Sequence, residues 1–148
     1  MYLNYMKDIT ILKKVVAQEL AAEKRYAEQV SMMCDGEVKE ILAELKDEEN
    51  RHKRECTVIL KASDSKFNSD EFDKLIDMEL NTLLCSSLPE MISFIELDIE
   101  REMEAAKLYE GYAEELHDEK LSNMLTNFME DEKDHVEKLH AVLNKLKG

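Results

Sequence analysis

Proline occurs once, at Pro89, and glycine only three times, at Gly36, Gly111 and Gly148, in 148 residues. With so few interruptions, and with Ala, Leu, Glu, Lys and Met dominant, the composition is that of long helices. No run of about 18 apolar residues exists, so no transmembrane helix is expected, and no membrane partner either. Met1–Leu20 carries charges throughout and lacks the apolar stretch of a signal peptide, so the expected location is the cytoplasm. Cysteine is also scarce: Cys34, Cys56 and Cys85 are odd in number and form no CxxC pair, which argues against a disulfide framework and a four-thiolate metal knuckle. Basic residues are outnumbered 20 to 34 by acidic ones, and the net charge of −14 would repel nucleic acid. The acidic excess by itself implies only solvated helix faces. No nucleophile motif, phosphate-binding loop or dinucleotide fingerprint is present.

What remains is strongly periodic. Apolar residues recur at three- and four-residue steps in four long stretches. The stripes run Ile9 to Met33, Val38 to Ile59, Ile92 to Leu116 and Leu121 to Leu146, and each is broken midway by a glutamate. Asp35-Gly36 and His117-Asp118 read as short turns whose aspartates cap the following helices. Ser87-Leu88-Pro89-Glu90 reads as a capping box with proline in the first turn. Asp70 to Leu84 is amphipathic and predicts a short extra helix inside a long crossover. The expected fold is an all-α four-helix bundle in one domain, residues 1–148. Hairpin 8–62 and hairpin 88–147 are joined by crossover 63–87.

The two hairpins repeat at a constant offset of 83 residues, without a gap from Ile9/Ile92 to Leu60/Leu143. Ten of the 52 aligned pairs are identical, a modest figure for two acidic hairpins, but the identities include the polar residues on core stripes. Glu19 maps to Glu102, Tyr26 to Tyr109, Glu49 to Glu132 and His52 to His135. Each glutamate lies about 15 residues from its turn, so all four sit at one level, roughly 22 Å along the helices. Face-to-face packing about a pseudo-twofold axis would make the four glutamates and two histidines converge. That packing needs the second and third helices parallel, which the crossover permits, because it can span on the order of 40 Å.

Glu49/His52 and Glu132/His135 have the i, i+3 spacing that puts carboxylate and imidazole on one face. The motif alone is weak: Glu114/His117 and Glu137/His140 share it, in a chain with 23 glutamates. His117 falls in a turn and His140 off the core stripe, so both read as surface histidines. Four carboxylates and two imidazoles suit two divalent first-row metals. Buried without cations, the four glutamates would each cost several kcal/mol or titrate to neutrality, whereas two dications cancel their charge. Tyr26 and Tyr109 are candidates either for core packing or for a functional role, as hydrogen-bond donors to ligand carboxylates or in redox chemistry. Cys56 reads as a small core residue, and Gly111 inside the third helix marks either close packing or a local bulge.

At QELAAEKRY…DEENRH and REMEAAKLY…EDEKDH the chain resembles the rubrerythrin-like branch of the ferritin-like superfamily, over Asp8 to Lys147. The resemblance implies that Glu49 and Glu132 bridge two irons, with Glu19 and His52 completing one and Glu102 and His135 the other. It implies a di-iron oxidoreductase reacting with hydrogen peroxide or O2 and supplied with electrons by a separate protein such as a rubredoxin. A homodimer is plausible on the same basis. Manganese could take the same ligands. Two departures stand out. The extra glutamate that rubrerythrins carry three residues after the third-helix ligand, which moves during peroxide reduction, is Ala105 here. No rubredoxin-like pair of CxxC motifs follows. The alternatives are iron oxidation coupled to storage or delivery, and a non-enzymatic helical interaction module.

Overall fold

The computed structural model describes residues 6–63 and 87–148. They form four helices: α1 (Met6–Met32), α2 (Gly36–Ser63), α3 (Leu88–Glu115) and α4 (Glu119–Lys147). The helix starts obey the capping signals. Asp35 Oδ1 accepts from the backbone N–H groups of Glu37 and Val38, and Asp118 Oδ1 from that of Leu121. Ser87 Oγ accepts from Glu90 N and donates to Glu90 Oε1, with Pro89 in the first turn. Such caps satisfy amide donors that have no partner inside the helix. The crossover and the short helix expected from Asp70 to Leu84 lie outside the described residues.

Packing is densest within the two hairpins, α1 with α2 and α3 with α4; α1 also touches α3, and α2 touches α4. Polar contacts fix the directions. Lys7 pairs with Glu115 at one end of α1 and Arg25 with Asp98 towards the other, so α1 and α3 are antiparallel. Arg51 with Asp131 and Lys145 with Glu37 establish the same for α2 and α4. Because α1 runs opposite to both α2 and α3, those two are parallel, as the repeat requires. This is the ferritin-like four-helix bundle.

Two apolar clusters flank the middle of the bundle. One gathers Leu12, Val16, Cys56, Leu60, Tyr109, Leu121, Leu125 and Phe128, among others. The second is built around Tyr26, Val38, Leu42, Leu45, Ile95, Leu139 and Val142. Full burial of each such aliphatic side chain contributes about 1.5–3 kcal/mol. Between the clusters lies the belt of polar residues that interrupts all four stripes.

Three details refine the sequence reading. Cys34 is disulfide-bonded, although the cysteine count argues against a disulfide framework, while Cys56 is free and buried in the core. An odd cysteine count excludes only that every thiol pairs within the chain. Gly111 has open space where a Cβ would point, so close helix packing is not its reason. Asp8, fully buried at the start of α1, accepts from the backbone N–H groups of His117 and Asp118, tying α1 to the distant α3–α4 turn. Among the described residues, no helix is long and apolar enough to cross a membrane.

Candidate metal centre

The helical register delivers one glutamate from α1 and one from α3, and a glutamate–histidine pair from each of α2 and α4, to the same level of the core. Glu19, Glu49, His52, Glu102, Glu132 and His135 are each at most 1% exposed. They form two overlapping sets, Glu19–Glu49–His52–Glu132 and Glu49–Glu102–Glu132–His135. Within each set, one ligand-type atom per residue lies within 4.8 Å of all the others. Glu49 and Glu132 belong to both sets. The arrangement therefore offers two candidate cation positions sharing two carboxylates, and it brings all six sequence-predicted residues together.

The histidines present the same edge inwards. His52 Nδ1 lies 3.1 Å from Glu19 Oε1 and 3.4 Å from Glu132 Oε1. His135 Nδ1 lies 3.0 Å from Glu49 Oε1, 3.3 Å from Glu132 Oε2 and 3.6 Å from Glu102 Oε2. The outer nitrogens are held by carboxylates of the opposite hairpin: His52 Nε2 by Asp131 at 2.8 Å, and His135 Nε2 by Glu48 at 2.9 Å. A carboxylate on one ring nitrogen fixes the tautomer and leaves the other nitrogen free for a metal. Glu48 and Asp131 were missed from sequence. They too are related by the 83-residue offset, each one position before a core glutamate, and that coincidence was the available signal.

Both tyrosines reach across to the other hairpin. The Tyr109 hydroxyl donates to Glu19 Oε1 at 2.7 Å, and the Tyr26 hydroxyl donates to Glu102 Oε1. Of the sequence readings, the hydrogen bond to a core carboxylate is the one the fold adopts, with the rings buried as well. Burial raises both hydroxyls well above the usual phenol range, so they stay protonated as donors. Phe128 stacks on His52 with ring centroids 4.0 Å apart and meets Tyr109 edge-on. His117 and His140 are exposed, away from the cluster.

The family model for rubrerythrin matches residues 10–143. The chain belongs to the rubrerythrin family. A solved structure, a hypothetical protein from Pyrococcus furiosus, superposes on this rubrerythrin-family chain with a TM-score of 0.72 at 16% identity. The match covers 94% of this chain and 89% of the other, and it establishes the fold alone. The search of curated proteins found no match.

Whether the residues of this family member suit a metal pair can be tested on their hydrogen bonding. Seven buried side-chain N or O atoms lack a hydrogen-bond partner among the described residues. Five belong to the cluster: Glu19 Oε2, Glu49 Oε1, both oxygens of Glu132 and His135 Nδ1; Glu49 Oε1 and His135 Nδ1 lie only 3.0 Å apart but do not form a hydrogen bond. Buried polar atoms are rarely left unpaired, and here the orphans point at one another's charges. The electrostatics agree. Burial, reinforced by the Glu132 charge, pushes the Glu19 carboxyl up to about 8. Glu49 is raised well above the usual range by burial and by Glu19 and Glu132. Burial opposes the His135 imidazolium, but Glu132 and Glu49 outweigh it and carry its pKa up to about 11. Glu132, flanked by both histidines, is held down to about 2 despite burial. The set accepts compensating positive charge wherever it finds it, and two divalent cations satisfy it best. The buried glutamate–histidine cluster thus fits the di-metal site of the family.

Proposed function

We propose that the protein is a di-iron oxidoreductase that reduces hydrogen peroxide or O2. The observation that carries this reading is the pair of overlapping ligand sets sharing Glu49 and Glu132, filled with unpaired buried acceptors. Glu19 and His52 would hold one iron, Glu102 and His135 the other, with Glu49 and Glu132 common to both. Two ferrous ions there would supply one electron each, matching the two electrons and two protons that convert peroxide into two waters.

The chain's own contribution is positional. Asp131 and Glu48 aim the histidines, and Tyr109 and Tyr26 pin Glu19 and Glu102 while keeping a proton at each hydroxyl. The apolar clusters on either side exclude bulk water. The surface cleft of about 410 Å³ lined by Met103, Ala106, Lys107, Glu110, Lys133, Val136 and Glu137 contains none of the six residues, which favours a small oxidant over a bulky organic substrate. Ala105 lies buried in the apolar cluster at the position where the resemblance to rubrerythrins implies an extra glutamate, so any peroxide chemistry here proceeds without that group. Re-reduction is assigned to a separate electron-donor protein such as a rubredoxin.

The test is iron content and absorption of ferrous-loaded protein under argon, followed by peroxide or air. Two irons per chain, a spectral change on oxidant and loss of both in Glu49→Ala support the proposal. The faster of the two oxidants identifies the reaction. An intact fold that retains no stoichiometric metal overturns it.

A further inference from the structure

Around the cluster the repeat fails most sharply beside Glu102. Arg25, Gln29 and Asp98 correspond, at the 83-residue offset, to Leu108, Tyr112 and Val15. Arg25 Nε donates to Asp98 Oδ1 at 2.9 Å, and Gln29 Nε2 donates to the same oxygen at 2.7 Å. With its Nε edge held this way, Arg25 places Nη2 3.8 Å from Glu102 Oε1. Both outer glutamates accept from a tyrosine hydroxyl, Glu19 from Tyr109 and Glu102 from Tyr26, but beside Glu19 the residues in the places of Arg25 and Asp98 are Leu108 and Val15, which carry no charge. One half of the cluster therefore has a guanidinium against its outer glutamate and the other half does not.

A second arginine must be weighed. Arg51 Nη2 lies 3.3 Å from His52 Nε2. Its side chain is 46% exposed and shared among Glu48, Glu55 and Asp131, so water and three carboxylates screen it. The Arg25 side chain is only 18% exposed and meets the glutamate itself. At the lower effective dielectric of a buried site its field is several times stronger. Asp98, whose Oδ1 accepts from Arg25 Nε, offsets this in part.

We infer that the two cation positions are unequal: Arg25, positioned by Asp98 and Gln29, weakens cation binding at Glu102/His135, so ions load first at Glu19/His52. This rests on the reading that the cluster takes two divalent ions. Arg25 competes for the charge of Glu102 and repels an incoming dication, an effect on the order of tenfold or more in dissociation constant.

Titration of the metal-free protein with cobalt(II), followed by calorimetry and visible absorption, tests the order. The expected result is two resolved steps differing by roughly tenfold or more. His52→Ala deletes the tighter step and His135→Ala the weaker. Arg25→Lys keeps the gap, whereas Arg25→Gln narrows it by strengthening the second step. Arg25→Leu/Asp98→Val, which copies the apolar pattern of the other half, also narrows it without leaving Asp98 unpaired; circular dichroism checks that each variant is folded. Two ions bound in a single step, a gap unchanged by Arg25→Gln, or loss of the tighter step in His135→Ala would overturn the order while leaving the two-metal reading intact. No cobalt bound at all would overturn both.

Discussion

The polar belt and the apolar clusters beside it obey the same 83-residue repeat with very different strictness. In the belt Glu19, Glu49 and His52 recur as Glu102, Glu132 and His135, and even the outer Glu48 recurs as an acid, Asp131. In the clusters some pairs keep their identity, such as Tyr26/Tyr109 and Leu42/Leu125, but others drift: Leu45 faces Phe128 across the repeat, Cys56 faces Leu139, and Val16 faces Ile99. The difference follows from what each region can tolerate. Apolar volume can be redistributed between neighbours at modest cost, usually below about 1.5 kcal/mol for volume-conserving swaps. A carboxylate in a dry core has no such freedom, because removing one partner leaves another charge uncompensated.

The sharpest way to break the belt is through a residue shared by both ligand sets. Glu49→Ala should lose both bound ions, whereas Glu102→Ala should lose one, as metal content after dialysis would show. Next come the flanks. Phe128→Ala should destabilise by about 3–5 kcal/mol and Leu45→Ala by about 2–5 kcal/mol in urea titrations. Only Phe128→Ala should also weaken metal binding, since Phe128 alone stacks on a cluster histidine.

Metal removal sharpens the comparison further. With free metal at about a hundred times its dissociation constant the folded state gains about 2.7 kcal/mol, so chelation should lower the melting temperature by about 5–10 °C. The pH dependence has a definite sign. Glu19, raised to about 8, holds a proton that the unfolded chain has released, and His135, raised to about 11, does the same at higher pH. Both contributions are fully present below the unfolded pKa values and fade as pH rises through the folded ones. The metal-free protein should therefore lose stability from about pH 5 up through about pH 11. Cations need those protons gone, so the stabilisation by metal should widen over the same window. A gap that narrows would contradict the assignment.

Smaller effects lie further out. Glu48→Gln and Asp131→Asn should each weaken metal affinity by about 10–100-fold, and by similar factors in the two halves. Gly111→Ala, in a region where the repeat has no counterpart glycine and a Cβ meets nothing, should stabilise the protein by up to about 1 kcal/mol.

Much of this was legible in the sequence because it is periodic. The four stripes, their interruption by glutamates and the constant offset locate the helices and the six core polar residues. The parallel α2 and α3 follow from requiring those residues to meet. What was not legible is carried by single polar side chains whose partners lie far along the chain. Asp98 looks like one more surface acid until α1 brings Arg25 and Gln29 to it, 73 and 69 residues away. Glu48 and Asp131 sit at stripe edges, where an acidic residue in so acidic a chain carries little information. The Cys34 disulfide could not be read from an odd count.

The buried Asp8 clasp has a consequence for how the chain folds. Each hairpin closes through contacts near in sequence; His52 meets Glu19 only 33 residues away. Asp8, by contrast, reaches the amides of His117 and Asp118 across 109 and 110 residues. Distant contacts bear their loop-closure entropy before they yield any stabilisation, so local hairpins form early and long-range pairs late. The hairpins should therefore zip up first, and the clasp should mark the moment they dock and the four carboxylates are forced together. An Asp8→Ala chain should refold with its early helical phase unchanged and its final docking phase slowed or reversed more readily. The clasp itself lies at an end of the bundle, well away from the metal ligands.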